Sequence, residues 1–393
     1  MIYNETIYNK HWTEKKLNEL GEFARGKSKH RPRNDKKLFD GGGYPLVQTG
    51  DIKNANLYLN QHSKEYNDFG LQQSKLWGKG TLCITIAANI AECAILNYPM
   101  CFPDSIVGFI PYKNMCSSEF MYYLFAYIKS SVQSSASGSI QDNINLEYLS
   151  NLKLRIPDLN YQNKIVKILK NLDDKININN KLISKTNNII GNIFNYYSNM
   201  NDDSYKKLKD FDVKIITGKT PSTKQISNFG EDVPFITIDD IRDNMYITDT
   251  TRKLSISGAE SQKNKYIKEN SICVSCIATV GEIGITTCLS QTNQQINSIE
   301  VSNKELYYLY CYLKNYFNNT ANIKQGNIFD NLSKDEFSNI DIKIVNDERL
   351  NEFNKYVEPL FKRIKEVYLE TNKLRNIREK LLPLLMNGQI KLN

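Results

Sequence analysis

Seven cations crowd residues 25–37: Arg25, Lys27, Lys29, Arg31, Arg33, Lys36 and Lys37, against the single acid Asp35, a local charge of +6. Such a run suits a polyanion. Each Lys or Arg that neutralises a phosphate releases a condensed counterion, and an Arg fork also matches the edge of guanine. The competing reading is a solvated basic loop. A second candidate group is amide-rich: Gln294 and Gln295, within residues 291–295, can pair with adenine or simply hold a turn. The loops with Ser139 and Gln141, and with Gln325 and Asn327, each carry a Gly that permits close backbone approach. Lys219, Lys224, Arg242, Arg252 and Lys253 are further candidates for phosphate contacts.

Catalytic chemistry is harder to assemble. Cys273 and Cys276, with Cys288 downstream, suggest zinc, but three steps along a strand put the two side chains on opposite faces. The three His, at 11, 30 and 62, lie far from them in sequence, so buried reduced thiols are the better reading. Glu92 and Glu282 hold matched positions without a duplicated His, Lys or Cys close by, which favours a structural ion pair or cap. Residues 41–43 are three glycines without the Lys-Ser/Thr of a phosphate loop, hence a flexible turn. No Asn-Pro-Pro-aromatic or Asp-Pro-Pro-aromatic methyltransferase tetrapeptide is present, so base methylation would fall to a partner.

The elements that position these residues occur twice. Leu82-Cys-Ile-Thr-Ile-Ala-Ala-Asn-Ile-Ala-Glu92 aligns without a gap to Ile272-Cys-Val-Ser-Cys-Ile-Ala-Thr-Val-Gly-Glu282, at an offset of 190. In the same order, Lys15-Lys16-Leu17 answers to Lys206-Lys207-Leu208, Gly26-Lys27 to Gly218-Lys219, Asp51-Ile52 to Asp240-Ile241, and Tyr122-Tyr123-Leu124 to Tyr307-Tyr308-Leu309. A period near 190 residues is the length of a domain, not of a solenoid repeat. It implies a duplicated fold with internal pseudo-twofold symmetry. In each copy, short β-branched runs (82–86 and 152–156; 272–277 and 340–345) and one helix (119–130; 304–316) predict an α/β or α+β globular domain.

A long helix comes after each domain. Ile165, Leu169, Leu172, Ile176, Asn179, Ile183, Thr186, Ile190, Ile193 and Tyr197 recur at alternating steps of four and three. So do Phe353, Val357, Leu360, Ile364, Val367, Thr371, Leu374, Arg378, Leu381 and Leu385. This period marks a coiled-coil seam, and each helix is best matched against its duplicate. Packing of each helix onto its own domain is the alternative. Pro359 and Pro383 predict that the second helix breaks into two or three segments. Leu381, Leu382 and Leu384 exceed what one seam needs and are candidates for docking a partner. The expected boundaries are 1–158 and 201–346 for the domains, and 159–200 and 347–393 for the helices. Residues 1–200 alone are expected to self-associate.

The 393 residues suit two domains. At 40% hydrophobic and 24% charged, the chain can bury a core, and its net charge of +8 suits a polyanionic partner. The N-terminus lacks an apolar signal region, and residues 82–96, the longest apolar stretch, fall short of a membrane helix. A cytoplasmic protein with reduced cysteines and no membrane association is expected.

Three segments carry a family resemblance: Leu374-Arg-Asn-Ile-Arg-Glu-Lys-Leu-Leu-Pro-Leu-Leu-Met-Asn-Gly-Gln-Ile-Lys391, Gln162-Asn-Lys-Ile-Val-Lys-Ile-Leu-Lys-Asn-Leu-Asp-Asp-Lys-Ile176 and Thr292-Asn-Gln-Gln-Ile-Asn-Ser-Ile299. With the two-unit plan, essentially the whole chain resembles the DNA specificity subunit of type I restriction-modification systems. The resemblance implies two target-recognition domains held apart by two long helices that pair as an antiparallel coiled coil, each domain reading half of a split site on double-stranded DNA. It implies a subunit without catalysis or cofactor of its own. Such a subunit directs two modification (methyltransferase) subunits that carry S-adenosylmethionine and, in the full complex, restriction subunits. The two recognition domains diverge strongly, so base-by-base assignments do not transfer. The rival classes are a self-contained nucleic-acid-modifying enzyme and a coiled-coil scaffold that binds DNA without sequence preference.

Overall fold

A computed structural model describes the chain apart from residues 1–5, 7, 88, 138–143, 200–203, 324–330 and 393. It divides into two compact units, Met1–Ile176 with Leu374–Asn393, and Asn177–Lys373. Each unit is built on a five-stranded mixed sheet. In the first the order is Gly21–Arg25, Ile106–Pro111, Leu82–Thr85, Cys93–Leu96, Tyr58–Leu59. The second repeats it with Val213–Thr217, Ile296–Val301, Ile272–Ser275, Ile283–Thr286 and Tyr246–Ile247. In both, only the last strand pairs parallel. A smaller sheet packs beside each: four strands in the first unit, three in the second. A two-stranded ribbon, Thr13–Lys16 with Lys153–Ile156 or Tyr205–Lys207 with Asp341–Lys343, closes each globule.

Leu82–Thr85 and Ile272–Ser275 are central strands buried on both faces, and so read as continuous apolar runs. Alternation splits their side chains between two cores. Leu82 and Ile84 face the helix Ser118–Ser137, while Cys83 joins Trp77 and Phe102 on the other side. In the second unit Ile272, Val274 and Cys276 pack with helix Asn303–Ile323, and Cys273 packs with Ile236 and Ile296. The two cysteines therefore occupy opposite faces, and burial pushes the Cys276 thiol up to about 11 and the Cys273 thiol to about 12. Among the described residues no His, Cys, Asp and Glu cluster could hold a metal.

The long helices are Leu159–Ser198 and Asp347–Met386, 40 residues each. All ten seam positions of the first map onto the second at an offset of 188. They run antiparallel in each unit. In the second, Asn179 donates to the Thr371 hydroxyl at 3.1 Å and to the Glu370 carboxylate at 2.9 Å. In the first, Arg378 Nε donates to the Asp173 carboxylate, which also accepts from the Tyr123 hydroxyl at 2.9 Å. The seam residues Ile165, Leu169, Ile183, Val357 and Ile364 are buried, while Leu172, Ile176, Leu360 and Leu374 are half-buried. A fully buried Leu, Ile or Val contributes about 1.5–3 kcal/mol.

Two expectations need correction. The second helix is continuous through Pro359 and Pro383. Pro359 is exposed, so the carbonyl it leaves unpaired can turn to water, and Pro383 stands three residues from the helix end. The leucines near the C-terminus are not surplus either. Leu381 and Leu382 pack on the core of the first unit and Leu385 is inside it, while Leu384 is half-buried. Hydrogen bonds then pin the tail: Asn9 Nδ2 donates to the Asn387 carbonyl at 2.6 Å, and the Tyr161 hydroxyl to that of Ile390 at 2.8 Å.

Candidate nucleic-acid interface

In each unit a loop leaves the edge strand through a glycine and lies against the turn before the neighbouring strand. Gly26 N donates to the Ile106 carbonyl at 2.9 Å, and Lys27 N to that of Phe102 at 3.1 Å. The second unit repeats the pair: Gly218 N to Ile296 at 3.0 Å, and Lys219 N to Thr292 at 2.9 Å. Only glycine fits this approach. A Cβ at Gly26 would stand 2.2 Å from the Phe102 carbonyl oxygen, and one at Gly218 would stand 2.1 Å from that of Asn293. The duplicated Gly-Lys pair in the sequence thus marks one backbone crossing made twice.

Around the crossing the two loops differ. In the first unit Arg25, Lys27, Lys29, Arg31, Arg33, Lys36 and Lys37 are all exposed. The backbone under them is tied down. Arg33 Nη2 donates to both carboxylate oxygens of Asp104, at 2.8 and 2.9 Å, and His30 bonds Asp35 at 2.8 Å. The His30 hydrogen bond, then the Lys37 backbone N–H, holds the Asp35 carboxyl below its ordinary range, so the loop keeps its one acid ionised. Arg31 donates to the carbonyls of Ser28 and His30. Arg33 and Arg31 are thereby partly committed, whereas no ion pair is recorded for Lys27, Lys29, Lys36 or Lys37 among the described residues. Residues 73–75 flank the loop, with Lys29 N donating to the Gln73 carbonyl and the Ser74 hydroxyl to that of Lys27. Lys75 lies there too, its ammonium 3.8 Å from the Trp77 ring centroid. No periodic signal in the sequence marks Lys75; only the fold brings it to the loop.

The second loop is far less basic, with a charge of +2 over residues 217–229. Lys219 and Lys224 are exposed. The Thr220 hydroxyl donates to Gln294 Oε1 at 2.6 Å, the position that Asp104 holds in the first unit at an offset of 190. Gln294 is exposed, and with its Oε1 accepting from Thr220 its amide nitrogen is left to donate. Gln295 is not free in the same way: its Oε1 accepts from Asn293 at 3.0 Å and its backbone N donates to Asn293 Oδ1. The amides therefore divide, with Gln295 spent on the turn. Arg252 is exposed on the strand Arg252–Leu254, and its neighbour Lys253 pairs with Glu231 at 3.2 Å. Arg242 is held by Asp239 at 3.0 Å and Glu282 at 3.9 Å. Ser139, Gln141, Gln325 and Asn327 lie outside the described residues.

Glu92 and Glu282 enter ion pairs, Glu92 with Lys129 at 2.7 Å. The three glycines form a turn at φ of +91°, +58° and +124°, closed by Gly43 N donating to Glu65. No described helix is long and apolar enough to cross a membrane.

Comparison with known proteins fits this duplicated plan. The model of the type I restriction modification DNA specificity domain matches twice, at residues 9–188 and 200–376. The type I restriction enzyme HindI specificity subunit of Haemophilus influenzae is 29% identical, over 91% of this chain and 97% of its own. The MjaIX specificity subunit of Methanocaldococcus jannaschii is 24% identical, over 97% and 94%. Among solved structures, the S subunit of a type I restriction-modification system from M. genitalium aligns with a TM-score of 0.65 at 15% identity, over 98% of this chain and 99% of that one. That likeness speaks to the fold alone. With two copies of the domain on a backbone crossing made twice, the chain belongs to the type I restriction-modification DNA specificity family.

Proposed function

We propose that each unit reads one half of a bipartite DNA site through the loop beyond its Gly-Lys crossing, and that the paired helices set the gap between the half-sites. The first unit uses Lys27, Lys29, Lys36 and Lys37 for phosphates, with Arg25, Arg31 and Arg33 available to phosphates or guanine edges. The second relies on Lys219, Lys224, Arg252 and the exposed amide of Gln294. Arg242, Lys253 and Gln295 have structural partners and serve as secondary contacts at most. The chain supplies sequence choice, while two modification subunits bring S-adenosylmethionine and the methyl-transfer chemistry; restriction subunits join the full complex. The observation that carries this reading is the same loop at the same crossing in two copies, differing in charge while the scaffold is kept.

Mapping methylated motifs in cells with and without the chain tests it. A split motif that disappears on deletion supports the proposal. Substituting Lys219, Lys224 and Gln294 should then alter one half of the motif and leave the other intact. A continuous motif, or methylation by the purified chain alone, would overturn it. Cognate and scrambled duplexes compared at several salt concentrations separate recognition from phosphate affinity.

A further inference from the structure

The helix behind each sheet repeats almost residue for residue: Tyr122-Tyr-Leu-Phe-Ala-Tyr-Ile-Lys129 in the first unit, Tyr307-Tyr-Leu-Tyr-Cys-Tyr-Leu-Lys314 in the second, at an offset of 185. Phe125 becomes Tyr310, Ala126 becomes Cys311, and the lysine is kept. Its surroundings are not. Lys129 donates to Glu92 at 2.7 Å. The matching acid, Glu282, faces Arg242 instead, and no ion pair is recorded for Lys314 among the described residues. The Lys314 ammonium lies over the Tyr310 ring, 5.7 Å from its centroid.

Lys314 instead lines a cavity of about 150 Å³ between Asn303–Ile323 and the later turns of Leu159–Ser198. Tyr310, 1% exposed, and Asn187 line it too, and among the described residues the Tyr310 hydroxyl and Asn187 Oδ1 are buried without a partner. The first unit has no hydroxyl at the corresponding place, since Phe125 stands there. A half-buried ammonium and a buried hydroxyl donor on the lining of one cavity call for an anion, and a buried amide oxygen calls for a donor. A small oxyanion that keeps one proton answers all three, and the space holds a tetrahedral oxyanion or a few waters.

We propose that the second unit binds a free, hydrogen-bearing oxyanion of the inorganic-phosphate class, held by Lys314, Tyr310 and Asn187. Lys314 pairs with the charge, the Tyr310 O–H donates to one oxygen, and Asn187 Oδ1 accepts from the protonated one. Burial holds the Lys314 pKa below its ordinary value, and the bound anion would restore it. A duplex phosphodiester lacks that acidic proton and carries a sugar on each side, which favours a free ion over the DNA backbone.

Titration calorimetry of the full chain with inorganic phosphate, at constant ionic strength with chloride as control, tests the proposal. One saturable site is expected. Tyr310→Phe, which installs the first unit's residue, should weaken it at least about tenfold. Lys314→Met should abolish binding. Gly191→Leu should block it with all three binding groups kept, since Gly191 lines the cavity and its Cβ would meet nothing within 4 Å. Lys129→Met should leave binding unchanged. No saturable binding to the wild-type chain would mean a cavity that holds only water. Unaltered affinity in Tyr310→Phe, which removes a single oxygen and spares the fold, would overturn the site even if Lys314→Met failed to fold. Displacement of phosphate by duplex DNA would assign the contact to the DNA backbone and overturn the free-ion reading.

Discussion

The first unit presents seven exposed cations over residues 25–37, around its glycine crossing, and the second presents two over residues 217–229, although the crossing beneath them is the same to a few tenths of an ångström in its hydrogen bonds. A contrast of the same kind runs through the helices. Asp173 and Arg378 form an ion pair in the first unit, with side chains 13% and 22% exposed. At the offset of 188 their counterparts are Phe361 and Ile190, both buried in the second unit. Duplication preserved the backbone plan. Divergence acted on what the plan presents to solvent and on which polar groups it encloses.

The largest effect is expected where the loops differ most. Alanine at Lys27, Lys29, Lys36 and Lys37 should lower the salt slope of DNA binding by up to about 4, since each phosphate contact adds about 0.9. The loss of affinity between 50 and 200 mM salt would then shrink about a hundredfold. Alanine at Lys219 and Lys224 should lower the slope by about 2 at most. Equal changes from the two sets, measured by fluorescence anisotropy across salt, would erase the contrast between the units.

The helix pair comes next. Asp173→Leu leaves Arg378 half-buried without its carboxylate and should cost about 2–4 kcal/mol, less than a fully buried pair because solvent still reaches both. Adding Arg378→Leu should recover most of that loss, because two apolar side chains then meet as Ile190 and Phe361 provide in the second unit. Urea denaturation of the four chains measures the cycle; a double variant as unstable as Asp173→Leu would contradict it. The same pair revises the expectation for residues 1–200. That fragment lacks Leu374–Asn393, which belongs to the first unit. Pairing two copies of the first helix in this register would set Asp173 against Ile190 rather than Arg378, so self-association is disfavoured.

The smallest effect should be the same in both units. Gly26→Ala and Gly218→Ala each force a Cβ into a carbonyl oxygen and should cost about 1–3 kcal/mol. A difference above about 1 kcal/mol between the two, again by urea denaturation, would show that the crossings are not equivalent.

Repeat, strand pattern and seam were legible because each rests on local periodicity. Leu82–Thr85 and Ile272–Ser275 fall within the β-branched runs, and the ten seam positions fall on two helices of equal length. The prolines misled because their cost depends on exposure, which the sequence does not state. The amides misled by half: Gln294 and Gln295 are adjacent and chemically identical, yet one faces solvent and the other braces a turn.

Residue order alone determined the duplication, the helix register and the charge of the first loop, since these depend on spacing and composition. Tertiary structure decided which polar groups are already satisfied. Lys129 and Lys314 lie in nearly identical octapeptides, but one meets Glu92 and the other a cavity. Partners for a buried charge come from segments distant in the chain, and only their packing settles whether the charge is answered.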